Sequence, residues 1–146
     1  MKAILTLALI LTAFNTGLVW LVQLVHYPGF AQVGKDAYRV YQEFHMRTIS
    51  YIVAPSMLLE LFLSLGLLFY LKDIGATWIY YLSLALLAVI WLNTAFWAIP
   101  AHNQLLHNGL DTDLIAKLVN INWWRTVCWS IRTLVLGYLV YKVLCQ

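Results

Sequence analysis

The chain has 146 residues, of which 63% are hydrophobic and 10% charged, with a formal net charge of +3. A soluble domain of this length could not hide so much apolar surface, and a few scattered cations do not make the basic stripe that a nucleic-acid partner requires, so both classes are excluded. What remains is an all-α integral membrane protein, one domain over residues 1–146 with the lipid bilayer as its first partner.

Four mostly apolar segments, at approximately residues 3–25, 49–71, 76–99 and 121–143, each match the ~20 residues that a spanning helix needs. They predict a four-transmembrane-helix bundle with both termini on one side. The first span follows Met1-Lys2. It is too long for the apolar core of a signal peptide and lacks an Ala-x-Ala site before Gln23, so it reads as a retained helix. It carries Asn15, Thr16, Trp20, Gln23 and His26. Tyr27-Pro28-Gly29 reads as a break. Phe30, Val33, Ala37, Tyr41 and Phe44 then recur at helical spacing beside Lys35, Asp36, Arg39 and Glu43. That pattern predicts an interfacial helix between spans 1 and 2, or an extension of span 2 upward.

Span 2 places His45, Ile49, Ile52, Ser56 and Glu60 on one helical face, and it is joined to span 3 by the short link Lys72-Asp73-Ile74-Gly75. Lysines 2, 72 and 142 on the side of the termini nearly balance Lys35, Arg39, Arg47 and Lys117 on the other. The short link and the usual orientation of a first helix place the termini on the cytoplasmic side. Span 3 carries Trp91, Asn93, Thr94 and Trp97. Pro100 kinks it, and helical character persists from His102 to His107 until Asn108-Gly109 supplies a C-terminal stop. Asp111, followed by Asp113, reads as the N-cap and acidic first turn of a helix running to Val143. Spans 3 and 4 therefore form an antiparallel hairpin that protrudes beyond the bilayer. Centred near Leu110, it sets level the residues whose numbers sum to about 220. Cys128 and Cys145 lie about 17 residues apart on the last helix, too far to form a disulfide with each other.

Two charges sit where charges are expensive. Glu60 lies in the middle of span 2 and Arg132 in the middle of span 4, each 11 residues in from Ile49 and Ile121, and so at one depth of roughly 16 Å. On span 4, Asn122, Arg125, Trp129 and Arg132 follow at steps of three, four and three, one face that must look into the bundle. These residues predict a wet or ligand-filled cavity, floored by Glu60 and Arg132 and open towards the histidine-bearing connections. The plainer alternative is an ion pair that only fixes helix register. That alternative leaves Arg125 without an acid. Trp91 and Trp129 sit deep enough to line the wall, with Thr94, Trp97 and Asn122, for a hydrophobic small molecule; the other aromatic residues suit interfacial belts.

His26, His45 and His102 fall at helix ends on one membrane face. Three readings stay open: a bound transition metal on these three side chains, haem held by two of them, or acid–base work by His45 and His102 with no cofactor. No His-x-x-x-His or Glu-x-x-His pair supports the metal.

From Trp97-Ala98-Ile99-Pro100-Ala101-His102-Asn103-Gln104-Leu105, through Asn122-Trp123-Trp124-Arg125, to Trp129 and Arg132, the chain resembles the anthrone-oxygenase-like family of small four-helix membrane proteins. The resemblance covers the second half of the chain and the four-span layout. The residue two beyond the proline, an asparagine in that family, is here His102, with Asn103 next to it. The resemblance implies an oxygenase acting on a membrane-soluble aromatic or quinol-like substrate.

On the enzyme reading, Arg125 and Arg132 stabilise a developing phenolate or enolate, His45 or His102 moves the proton, and Glu60 holds the arginines. The alternative is a non-catalytic subunit, or a pigment- or quinone-binding component, of a larger membrane complex. A transporter fits worse, because four spans without a repeat make a poor alternating-access machine.

Overall fold

The computed structural model describes residues 1–70, 72 and 77–145. The expected link at 73–75 and the span boundaries at 71 and 76 lie outside the described residues. Four helices are long and apolar enough to cross a membrane: α1 (Lys2–Gln32), α2 (Tyr38–Tyr70), α3 (Thr77–Asn108) and α4 (Thr112–Leu144). The chain is an all-α four-helix bundle, an integral multi-pass membrane protein. A helix of 33 residues is ~50 Å long, against a hydrocarbon core of ~30 Å, so the bundle overhangs the bilayer by several turns.

The termini of the last hairpin follow the sequence. Gly109 takes φ +82° to end α3, a conformation that other residues adopt only with strain. Asp111 caps α4 by accepting from the Leu114 N–H at 2.9 Å. The connection between spans 1 and 2 takes the second of its two expected forms, because α2 is continuous from Tyr38. Tyr27-Pro28-Gly29, expected to break the first helix, does not break it. A π-turn at Val22–His26 precedes it, in which the Tyr27 N–H bonds to the Val22 carbonyl, and helical turns continue to Gln32. A second π-turn, at Thr94–Ala98, ends in the same way, with the Ile99 N–H on the Thr94 carbonyl immediately before Pro100. Each widened turn absorbs the register change at a residue lacking an N–H, so the helix passes through its proline.

The core is stacked in three tiers. Leu5, Leu67, Tyr80, Leu136 and Val143 pack at the end of the termini, Val19, Met57, Ile90 and Trp129 in the middle, and Tyr27, Phe30, Tyr38, Leu105 and Leu118 at the histidine end. Both termini therefore share one end. Helix α4 packs along α1 and α3, and α1 packs along α2. Around the bundle the order is α2, α1, α4, α3. Helices α2 and α3 pack together at the histidine end, on residues Ile99–Asn108, and at the other end the Tyr80 hydroxyl donates to the Ser64 carbonyl. Between those ends they stand apart. Level contacts in the hairpin, Arg132 with Ser83 and Asn93 with Ile121, sum nearer 215 than 220, in the direction expected when the π-turn of α3 uses extra residues to descend.

Candidate functional site

Glu60 and Arg132 meet at the centre of the bundle, both fully buried, with Arg132 Nε 2.9 Å from Glu60 Oε1. The pair is enclosed on every side. Glu60 Oε1 also accepts from the Thr12 hydroxyl at 2.7 Å, and Oε2 accepts from Asn15 Nδ2 at 2.8 Å and from Trp129 Nε1 at 3.1 Å. Arg132 Nη1 donates to the Ser83 carbonyl and hydroxyl, and Nη2 to the Ser64 hydroxyl. A buried ion pair survives in hydrocarbon only when its remaining lone pairs and protons are satisfied, and this network does that from all four helices. Thr12 was not singled out from the sequence. Its signal was the run Thr12, Asn15, Thr16, Val19, Gln23 at helical spacing in an otherwise apolar helix.

Above this knot lies a cavity of about 370 Å³, lined by side chains of all four helices. Asn15 and Trp129, which both bond to Glu60, form its lower wall, and Glu60 and Arg132 do not line it. The expected floor is therefore one layer too deep, because the carboxylate is covered by its own hydrogen-bond donors. The sides are apolar: Val19, Val53 and Met57 with Trp91, Thr94 and Ala98. Tyr27, His45 and His102 close the top, and Arg125 reaches in from α4. The cavity opens through the gap between α2 and α3, where Leu58 and Ile99 on its lips are 43% and 50% exposed.

Of the residues expected to hold a ligand, Trp91, Thr94 and Trp129 line this cavity. Trp97 does not. It is 52% exposed and borders a separate outer groove of α3 and α4, with Lys117, Asn120 and Trp124. The π-turn at 94–98 is the reason: it advances less per residue than an α-turn and so carries Trp97 away from the face of Thr94. Asn122 is also off the wall. It is fully buried, accepts from Arg125 Nη1 at 3.1 Å, and donates to Gln23 Oε1 at 2.8 Å. Its role is to hold Arg125.

Arg125 differs from Arg132 in every respect except depth of burial. No carboxylate pairs with it among the described residues, its Nε is buried with no partner, and its guanidinium lies 5.2 Å from the centre of the Trp129 ring. A cation held by an amide and an aromatic face, beside an apolar cavity, is arranged to receive a negative or strongly polar oxygen.

The three histidines do converge. His26 Nε2 is 2.7 Å from His45 Nδ1, and the His45 and His102 rings lie 5.2 Å apart. His102 Nε2 is 2.9 Å from the Tyr27 hydroxyl, and His102 Nδ1 is 3.0 Å from Gln42 Nε2. Both ring nitrogens of His102 are thus engaged by neutral neighbours. Among the described residues no group of three His, Cys, Asp or Glu side chains is arranged to hold a metal ion. In the expected set, His26 and His45 are hydrogen-bonded to each other, and His102 beside them turns its nitrogens to Tyr27 and to Gln42. His45 Nε2 has no partner in the protein and belongs to a cavity-lining residue. Tyr27 and Gln42 escape the sequence reading because Tyr27 looks like a belt aromatic beside a break and Gln42 is one polar residue among several in the segment read as an interfacial helix or an extension of span 2.

The chain matches no family model, no curated protein and no solved structure.

Proposed function

We propose that this protein draws a membrane-soluble aromatic or quinol-like molecule from the bilayer into the cavity and acts on it as an oxidoreductase or oxygenase. The observation that carries this reading is Arg125: a buried guanidinium that has, among the described residues, no acid and no partner for its Nε, on the wall of an apolar cavity that opens sideways between α2 and α3. A structural arginine would be paired as Arg132 is. The substrate enters through the gap, its oxygen beside Arg125 and its ring between Trp91 and Trp129. His45 takes the hydroxyl proton at Nε2 and relays it through Nδ1 to His26, which is part-exposed at the membrane surface. The resulting hydroquinone monoanion is stabilised by Arg125; it gives two electrons and its second hydroxyl proton to dioxygen, leaving the quinone and hydroperoxide, which takes up a proton and leaves as hydrogen peroxide. Glu60 and Arg132 then serve to hold Asn15 and Trp129 in the lower wall. The resemblance of Trp97–Leu105 and Asn122–Arg132 to the anthrone-oxygenase-like family agrees with this chemistry. On the same reading the termini are cytoplasmic and the histidine end faces outward.

The outer groove beside Trp97 and Trp124, exposed by 52% and 67%, favours a second reading, a non-catalytic component of a larger membrane complex. Oxygen uptake by the protein in nanodiscs, supplied with a membrane-soluble hydroquinone, separates the two. Uptake should fall at least about tenfold in His45→Ala and in Arg125→Met. Uptake indifferent to both residues, or a partner chain that co-purifies in mild detergent with no uptake at all, would refute the enzyme reading.

A further inference from the structure

The hydrogen bonds at the top of the cavity fix which way their protons point. Gln42 Nε2 lies 3.0 Å from His102 Nδ1 and 3.3 Å from the His102 carbonyl. The carbonyl can only accept, so the amide nitrogen, and not the amide oxygen, faces His102; its two protons satisfy the carbonyl and Nδ1. His102 therefore accepts at Nδ1 and carries its proton on Nε2. That N–H donates to the Tyr27 oxygen at 2.9 Å. With a lone pair occupied by His102, Tyr27 has its own O–H left to give, and Tyr27 lines the cavity.

The other polar groups in the cavity divide cleanly. Arg125 Nε and Trp91 Nε1 are buried N–H donors with no partner, and a donor left unmade in a low-dielectric site is costly. Asn15 is fully engaged, with Nδ2 on Glu60 and Oδ1 accepting from Ser56. Ser50 and Thr94 donate to carbonyls of their own helices. The Tyr27 hydroxyl is thus the donor left to the cavity, His45 Nε2 can serve as either donor or acceptor, and the Ser50 and Thr94 oxygens can only accept.

We propose that the cavity selects a ligand by a hydrogen-bond acceptor at its polar end, the carbonyl or oxyanion of an aromatic ketone, quinone or phenolate, and that the Tyr27 hydroxyl is the donor that reads it. This rests on the reading of the cavity as a site for a membrane-soluble aromatic molecule and names the chemistry of that molecule's head. Gln42 and His102 are positioning residues, since they hold Tyr27 in its donor orientation. Tyr27 and Arg125 bind the oxygen more strongly once its proton has gone, which is the differential binding that a deprotonation step requires.

The test uses the whole protein in nanodiscs and two probes of one shape, 2-methyl-1,4-naphthoquinone and 2-methylnaphthalene, measured as ligand retained per protein above empty nanodiscs. The parent should retain the quinone more tightly than the hydrocarbon. Tyr27→Phe should weaken the quinone roughly fivefold to tenfold and leave the hydrocarbon unchanged. Gln42→Met lies off the cavity wall, removes the donor that fixes the His102 tautomer, and should act in the same direction, which keeps the test available if Tyr27→Phe does not fold. Equal retention of the two probes by the parent, or variants that weaken both probes alike, would overturn the acceptor-head inference while leaving the cavity as a binding site. Retention of neither probe would overturn the functional reading itself, and this inference with it.

Discussion

Replacing Glu60 by leucine removes the acceptor of four donors at once. Arg132 keeps its bonds to Ser64 and Ser83 but loses its only counter-charge, and a guanidinium does not shed its proton. Breaking a buried pair from this side costs about 3–5 kcal/mol, and Asn15 Nδ2 and Trp129 Nε1 each become unpaired buried donors at about 1–3 kcal/mol. The total is at least about 5 kcal/mol. Arg132→Met is the gentler cut. Glu60 keeps three donors, Thr12, Asn15 and Trp129, so the loss is nearer about 3 kcal/mol. The double replacement has no stranded charge but still leaves Asn15 and Trp129 without an acceptor, so it falls at about 2–4 kcal/mol and not at zero. Unfolding of the four proteins in mixed micelles, followed by far-ultraviolet circular dichroism, gives the cycle. The double variant should be more stable than Glu60→Leu alone. Additive losses, or an Arg132→Met as damaging as Glu60→Leu, would refute the account of a mutually dependent pair.

Arg125→Met should be milder, because it strands no partner charge: the loss, that of the buried Asn122 Oδ1 left without its donor, is about 1–3 kcal/mol, read from the same unfolding curves, while naphthoquinone retention drops. Ala54 is exposed on the lip of the gap between α2 and α3, so Ala54→Trp should slow ligand uptake into nanodisc-held protein about tenfold, with the melting temperature unchanged. Cys128 is buried and Cys145 exposed. A maleimide should therefore label one thiol in the folded chain and two after denaturation, counted by intact mass.

Much of this arrangement was visible in the sequence because hydrocarbon makes polar residues conspicuous. The stripe of Asn122, Arg125, Trp129 and Arg132 is buried along its whole length, and the equal depth of Glu60 and Arg132 became contact. Gly109 and Asp111 marked the hairpin because turn and cap chemistry is local. What escaped was geometry with no compositional trace. A π-turn shifts the register by a residue without altering the pattern of residue types, so Trp97 was placed on the wrong face and Tyr27-Pro28-Gly29 was taken for a break. The serines that receive Arg132, Ser64 and Ser83, look like any small residue of a spanning helix. The tautomer of His102 depends on Gln42, 60 residues away, and no local rule relates the two.

The acid and the base of the central pair lie 72 positions apart in the chain, and this distance is also a time. At ~5–20 residues per second of synthesis, Glu60 waits roughly 4–15 s for Arg132 to be made. Through that interval the nascent chain holds a carboxyl in the membrane with Thr12 and Asn15 of the first helix to bond it. Arrival of the last helix supplies the counter-charge and ties all four helices together. A ribosome that stops short of Arg132 releases a chain that carries an acid inside the bilayer without its counter-charge.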